Sequence, residues 1–257
     1  LRLVGRMLNE AHYSPQVIND AFSKKVYVKY LKEIDGDKNI LLQSDLNALR
    51  PYETAIDDEI KGANVSSFLE VGRVFNKRME EASSICNELL AKPFDFSVDE
   101  DVELDGDKLN FPATEAERRD RWRKKLKYLT LERYTDLLDQ REKNKGKDNF
   151  VVKTDEELEK DARDKVKRLM DRTFDRYRFK FSDDDKFNLF VNCITTTMDP
   201  HSEFFPPVDK RYFDEEMSGR FLVSEPPFSM MMEILRSVVL SLAARPGNQG
   251  RSSPVIL

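Results

Sequence analysis

The chain has 257 residues, long enough for one large domain or two small ones with a sizeable core. Charged residues make up 35% and apolar ones 39%, with 9 glycines, a balance that favours long solvated helices over a glycine-rich sheet or an α/β nucleotide binder. A net charge of −5 gives no global case for nucleic acid, and two cysteines outside any CxxC spacing exclude a disulfide framework.

In chain order, Ser14 before Pro15 predicts a helix start, since serine can cap free N–H groups and proline suits the first turn. Ile18, Phe22, Val26 and Tyr30 fall four apart, so one apolar face should run to about Ile34, where "DGDKN" reads as a turn. "SDLNAL" predicts a second helix with Ser44 as its cap, ended or restarted at Pro51. The clearest helix spans about 65 to 91: Phe68, Val71, Phe75, Met79, Ala82, Ile85 and Leu89 step by three or four, and Pro93 closes it. Residues 92 to 113 read as a long, solvated acidic loop that lacks the register of a calcium-binding loop. Thr114 with Glu117, and Thr154 with Glu157, carry the T-x-x-E capping signature of two further helices, reaching about Glu142 and Phe181. Ser182 can cap a sixth, carrying Phe187, Phe190 and Ile194. The fold class expected is mainly α: an irregular domain of about six helices with a long acidic loop.

Chemistry-bearing residues are sparse. Cys86 and Cys193 should pack as small hydrophobes. "ERRDRWRKKLKY" (117–128) interleaves acids and bases at helical spacing, which predicts a salt-bridged solvent face and no phosphate-backbone site. His12 and His201 are the only histidines, too few for a convenient zinc site. Either could serve a Ser-His-Asp triad, but no nucleophile elbow and no glycine-rich phosphate loop occurs. No catalytic, cofactor-binding or metal-binding residue is therefore expected. Only 228–244 approaches a membrane span, and it falls short of the roughly 20 apolar residues a bilayer needs.

The least random stretch is "TTTMDPHSEFFPPVDKRYFDEEMSGRF" (195–221). Asp199-Pro200 is a turn initiator, Pro206-Pro207 an extended stop, and "DKRYFDEEMSG" a short amphipathic helix ended by Gly219. The stretch resembles the D-P-H-[ST]-x-[YF]-[FL]-x-P … M-S junction of C-terminal processing serine peptidases, in their tail-specific branch. "AHYSP", "YLKEIDGDKNILLQSDL" and "ICNELLAKPFDFSVDE" resemble other blocks of that branch's helical N-terminal domain, in the same order. The departures are mild: Gly36 stands where the family often has proline, and Ile40 near where an aromatic often sits. The likeness covers about residues 3 to 221, with the junction fairly specific and the helical blocks useful mainly through their order.

Beyond Phe221 the composition changes. Residues 222–257 carry only Glu225, Glu233, Arg236, Arg245 and Arg251 as charges, and Met230, Met231 and Met232 stand in a row. Permitted codons for 243–257, read from their third base, give G-P-A-W-K-S-G-Q-I-K-P-G-D-I. The same offset turns 222–237 into G-I-G-A-S-L-F-N-D-D-G-N-I-K-I. Both resemble the opening of the family's PDZ domain, so a one-base slip after about Phe221 is expected. The domain division expected is 1–221, helical, and 222–257, an out-of-frame tail.

The resemblance implies the N-terminal domain of a C-terminal processing serine endopeptidase whose Ser/Lys dyad lies in a downstream domain, so this fragment alone is expected to be inactive. It implies protein substrates with apolar C-termini, bound through the missing domains, an adaptor as a further partner, and a periplasmic or otherwise exported location. No cofactor, nucleic acid or membrane span belongs to that expectation. The rival readings are a non-enzymatic helical protein-interaction module and, more weakly, a metal hydrolase built on His12 and His201.

Overall fold

Three hydroxyl caps foreseen in the sequence are in use. The structure, a computed structural model, describes residues 1–62, 64–147 and 151–206. Thr114 Oγ1 accepts from Glu117 N–H at 3.2 Å, Thr154 Oγ1 from Glu157 N–H at 3.3 Å, and Ser182 Oγ from Asp185 N–H at 3.1 Å. At the last two the carboxylate also returns to the cap's own N–H, satisfying two free donors reciprocally.

Among the described residues the chain forms eight α-helices and no strand, as a mainly α fold should: α1 (Arg2–Glu10), α2 (Asp20–Ile34), α3 (Gln43–Leu49), α4 (Ile56–Lys61), α5 (Ser66–Leu90), α6 (Glu115–Asn144), α7 (Asp155–Asp175) and α8 (Asp183–Met198). The two beyond the six expected are α1 and α4. Neither has a side-chain cap hydrogen bond, and α4 has only 6 residues, so neither shows a start signal. The segments 209–219, 222–257 and 228–244, for which a helix, a frame slip and a membrane span were considered, lie outside the described residues. None of the described helices is long and apolar enough to cross a membrane.

Three details differ from the expected starts and ends. The cap of α2 is Asn19, whose Oδ1 accepts from Phe22 N–H at 3.1 Å, while the N–H of Ser14 turns to His12. Ser44 lies inside α3, whose first turn is closed by Asp45 accepting from Leu42 N–H at 2.9 Å. The helix foreseen to Phe181 stops at Asp175 and widens into a π-helical turn, Arg176–Lys180. That turn brings Tyr177 against Phe75, with centroids 5.9 Å apart, and leaves Phe179 exposed.

Up to Phe204 the described chain forms one unit around a single apolar core. The α2 stripe is buried as its spacing requires, and Tyr30 meets Phe190 of α8 edge-on at 5.0 Å. The α5 stripe is buried through Val71, Phe75, Met79 and Ala82, then continues through Cys86 and Leu90, with Ile85 and Leu89 at its border. Both thiols are buried, and desolvation pushes each up to about 12, which leaves them protonated and inert.

The basic segment of α6 is a salt-bridged solvent face only in part. Its ion pairs Arg121–Glu117 and Arg123–Asp120 exist, but Arg118 is only 1% exposed and Trp122 6%. Arg118 Nη1 donates to Ile40 O and Nη2 to Glu81, both at 2.8 Å, while Trp122 Nε1 donates to Asn39 O at 2.9 Å. These bonds reach the turn after α2, where buried Asp35 accepts from the N–H groups of Asn39, Ile40 and Leu41. Burial pushes the Asp35 carboxyl up to about 6 while those three donors pull it down.

The acidic loop is solvated only in part. Glu100 is gripped by both terminal nitrogens of Arg123 and by Lys127, whose Nζ also donates to Val98 O at 2.8 Å. Those hydrogen bonds hold the Glu100 carboxyl down at about 2. One carboxylate of the loop thus ties it to α6.

Candidate functional site at the His12–Ser202 joint

The last turn of α8 is followed by Asp199, whose backbone is extended (φ −154°, ψ 134°). Asp199 then closes a corner on itself: its carbonyl accepts from Ser202 N–H at 2.9 Å and its Oδ1 from His201 N–H at 2.7 Å. This is the local turn that an Asp-Pro pair favours. Past the corner, the chain is caught by Asn192, about two turns back in α8. Asn192 Oδ1 accepts from Phe204 N–H at 2.7 Å and Nδ2 donates to Phe204 O at 3.1 Å. The side-chain amide acts as a peptide group would in a sheet ladder, where none of the described residues forms a strand.

The segment after α1 meets this corner from the other side. His12 Nε2 lies 3.0 Å from Ser202 Oγ, and its Nδ1 accepts from Ser14 N–H at 3.1 Å. Gln16 Nε2 donates to Met198 O at 2.6 Å and Thr197 O at 3.0 Å, satisfying carbonyls that the end of α8 leaves without helical partners. "AHYSP" and "MDPHS", nearly two hundred positions apart, form one joint.

The hydrogen-bond polarity of His12 decides what this pair can do. Because Nδ1 accepts a backbone N–H, the proton of the neutral ring sits on Nε2, and Nε2 donates to Ser202. A general base for a serine needs the opposite arrangement: a free lone pair at Nε2 and an Nδ1–H held by a carboxylate. His12 and Ser202 are therefore a structural pair. The ring of His201 is exposed, and the corner uses only its backbone N–H, so the histidine that carries the joint is His12. Among the described residues no three His, Cys, Asp or Glu side chains gather as metal ligands.

Residues 4–208 match the family described as the tail specific protease N-terminal domain. The chain belongs to the tail-specific protease family. Over 212 residues it is 26% identical to the tail-specific protease of Haemophilus influenzae, a match covering 82% of this chain and 28% of that relative. The chain thus spans well under a third of the length of the tail-specific protease it matches. The family match takes in both sides of the joint.

The Ser202 side of the joint was marked in the sequence by the junction motif, and the His12 side by "AHYSP". Gln16 and Asn192 were missed. Asn192 had one local signal, an amide in the apolar run "FVNCI", where asparagine is a poor helix former unless its side chain is bonded. Nothing local marks Gln16 as a cap for a helix some 180 positions away.

Proposed function

We propose that this chain is the helical N-terminal domain of a C-terminal processing serine endopeptidase, and that its share of the activity is architectural. It walls the substrate cavity and holds the chain at a fixed corner upstream of the PDZ domain expected after Phe221. That PDZ domain captures a protein's apolar C-terminus by strand addition, and a Ser/Lys dyad farther on performs the cleavage. An adaptor is a further partner, and the periplasm or another exported compartment the location. Residues 222–257 are an out-of-frame translation of the PDZ domain's first strands.

The observation that carries this reading is the joint itself. The two segments that resemble the family's motifs at opposite ends of the domain bond to one another, and their geometry leaves His12 and Ser202 a holding role. Sequencing the coding DNA past the codon of Phe221 is the test. A PDZ domain and a Ser/Lys domain should follow in the frame displaced by one base. An open frame without either would leave the chain a helical interaction module.

A further inference from the structure

From the bonding of His12 we infer that the joint is a proton-operated latch, closed while the imidazole is neutral and loosened when it is protonated. The neutral ring is used at both nitrogens, as acceptor for Ser14 N–H and as donor to Ser202 Oγ. Protonation leaves the donor side intact but puts a hydrogen on Nδ1, facing the N–H of Ser14. Two donors cannot share that contact, so the ring must turn or the 12–14 turn must open, and either movement disturbs the bond to Ser202. Imidazole is the side chain whose charge changes between about pH 5 and 8.

Both partners of the ring are uncharged. The charged or titratable groups of the segments meeting there are Glu10, paired with Arg6 on α1, Asp20 at the start of α2, and Asp199, His201 and Glu203 after α8. Asp199 Oδ1 is engaged by His201 N–H, and no carboxylate holds the His12 ring among the described residues. A loosened imidazolium can therefore turn its new N–H toward solvent. Gln16 and Asn192 hold the same corner through groups that do not titrate, so acid loosens the latch without freeing the chain altogether.

The test uses the full chain. Nitrogen-15 shifts of His12 at pH 8 should report the neutral ring with its proton on Nε2. Hydrogen exchange of residues 199–204, corrected for its intrinsic pH dependence, should show protection falling about tenfold through one transition between pH 8 and 5, the size expected for loss of one ordinary hydrogen bond. His12→Gln keeps a donor for Ser202 but cannot titrate, and should remove the transition. His201→Gln should keep it. A ring protonated on Nδ1, protection without a pH step, a step that survives His12→Gln, or one abolished by His201→Gln would each overturn the latch.

Discussion

The side-chain amide of Asn192 bonds both main-chain groups of Phe204, one as acceptor at 2.7 Å and one as donor at 3.1 Å. This two-way bond, with the Asp199 turn, sets the direction of the chain after α8. Asn192→Ala should leave a partly buried N–H and C=O without partners, at about 1–3 kcal/mol. Asn192→Asp is the sharper variant: it keeps the acceptor for Phe204 N–H but sets a carboxylate against Phe204 O. Urea unfolding should place both variants below the parent, with exchange at the Phe204 amide faster in Asn192→Ala than in Asn192→Asp. Equal exchange in the two would mean that the amide is not used as described.

His12 and His201 should separate cleanly. His201→Ala removes an exposed ring and keeps the backbone N–H that donates to Asp199 Oδ1, so stability at pH 8 should change by less than about 0.5 kcal/mol. His12→Ala strands the part-buried Ser202 Oγ, while water can replace the ring at the exposed Ser14 N–H, so it should cost about 1 kcal/mol, the lower end of the range. Thermal unfolding at pH 8 measures both. A larger loss from His201→Ala would reverse the assignment.

Two glycines predict opposite signs. A Cβ on Gly106 would lie 1.9 Å from Gly36 O and 3.0 Å from Asp37 Cα, both backbone atoms that cannot step aside. Gly106→Ala should therefore push the acidic loop off the turn after α2, at about 1–3 kcal/mol. Gly72, inside α5, has nothing within 4 Å of such a Cβ. Gly72→Ala should stabilise by about 0.5–1 kcal/mol through helix propensity. Chemical denaturation of the two variants side by side measures both effects, and equal shifts would remove the 36–106 contact from the stability of the domain.

Acid should act through Glu100. Its carboxyl is held at about 2, below the ~4.3 of a free glutamate, so the fold favours the ionised form. The contribution is complete above about pH 5 and is lost as pH falls from there toward 2. Glu100→Gln should be less stable than the parent at pH 7, and the two curves of stability against pH should converge in acid. Curves that stay parallel would place the Arg123 and Lys127 contacts outside the stability of the domain.

What the sequence reveals about this fold divides by range. Periodicity located α2 and α5 because an apolar stripe is written within one helix, and three hydroxyl caps were legible because each partner lies three residues away. Arg118 misled because its charge reads as solvent-facing, while its burial depends on Ile40 and Glu81 arriving from other elements. The cap of α2 misled for a similar reason: Ser14 resembles a cap locally, yet its N–H is taken by His12 within a turn that the joint holds. The joint itself was legible only as two motifs. Their meeting is a tertiary fact, and its hydrogen-bond polarity is set by groups that no single stretch of the sequence contains.

Residues 222–257, read as an out-of-frame segment, have had no selection to match their apolar residues to a partner surface, and among the described residues the core is drawn from those between Leu8 and Met198. Ending the chain at Phe221 should therefore leave the thermal midpoint within about 2 °C of the full chain, the shift expected for less than about 1 kcal/mol in a domain of this size. Solubility should rise, because "FSMMMEILRSVVLSLAA" carries an apolar run with two charges and a patch of that kind promotes association. Light scattering of both proteins at equal concentration checks the second effect and calorimetry the first. A midpoint several degrees lower in the shortened chain would show that the tail belongs to the fold, and the frame-slip reading would fail with it.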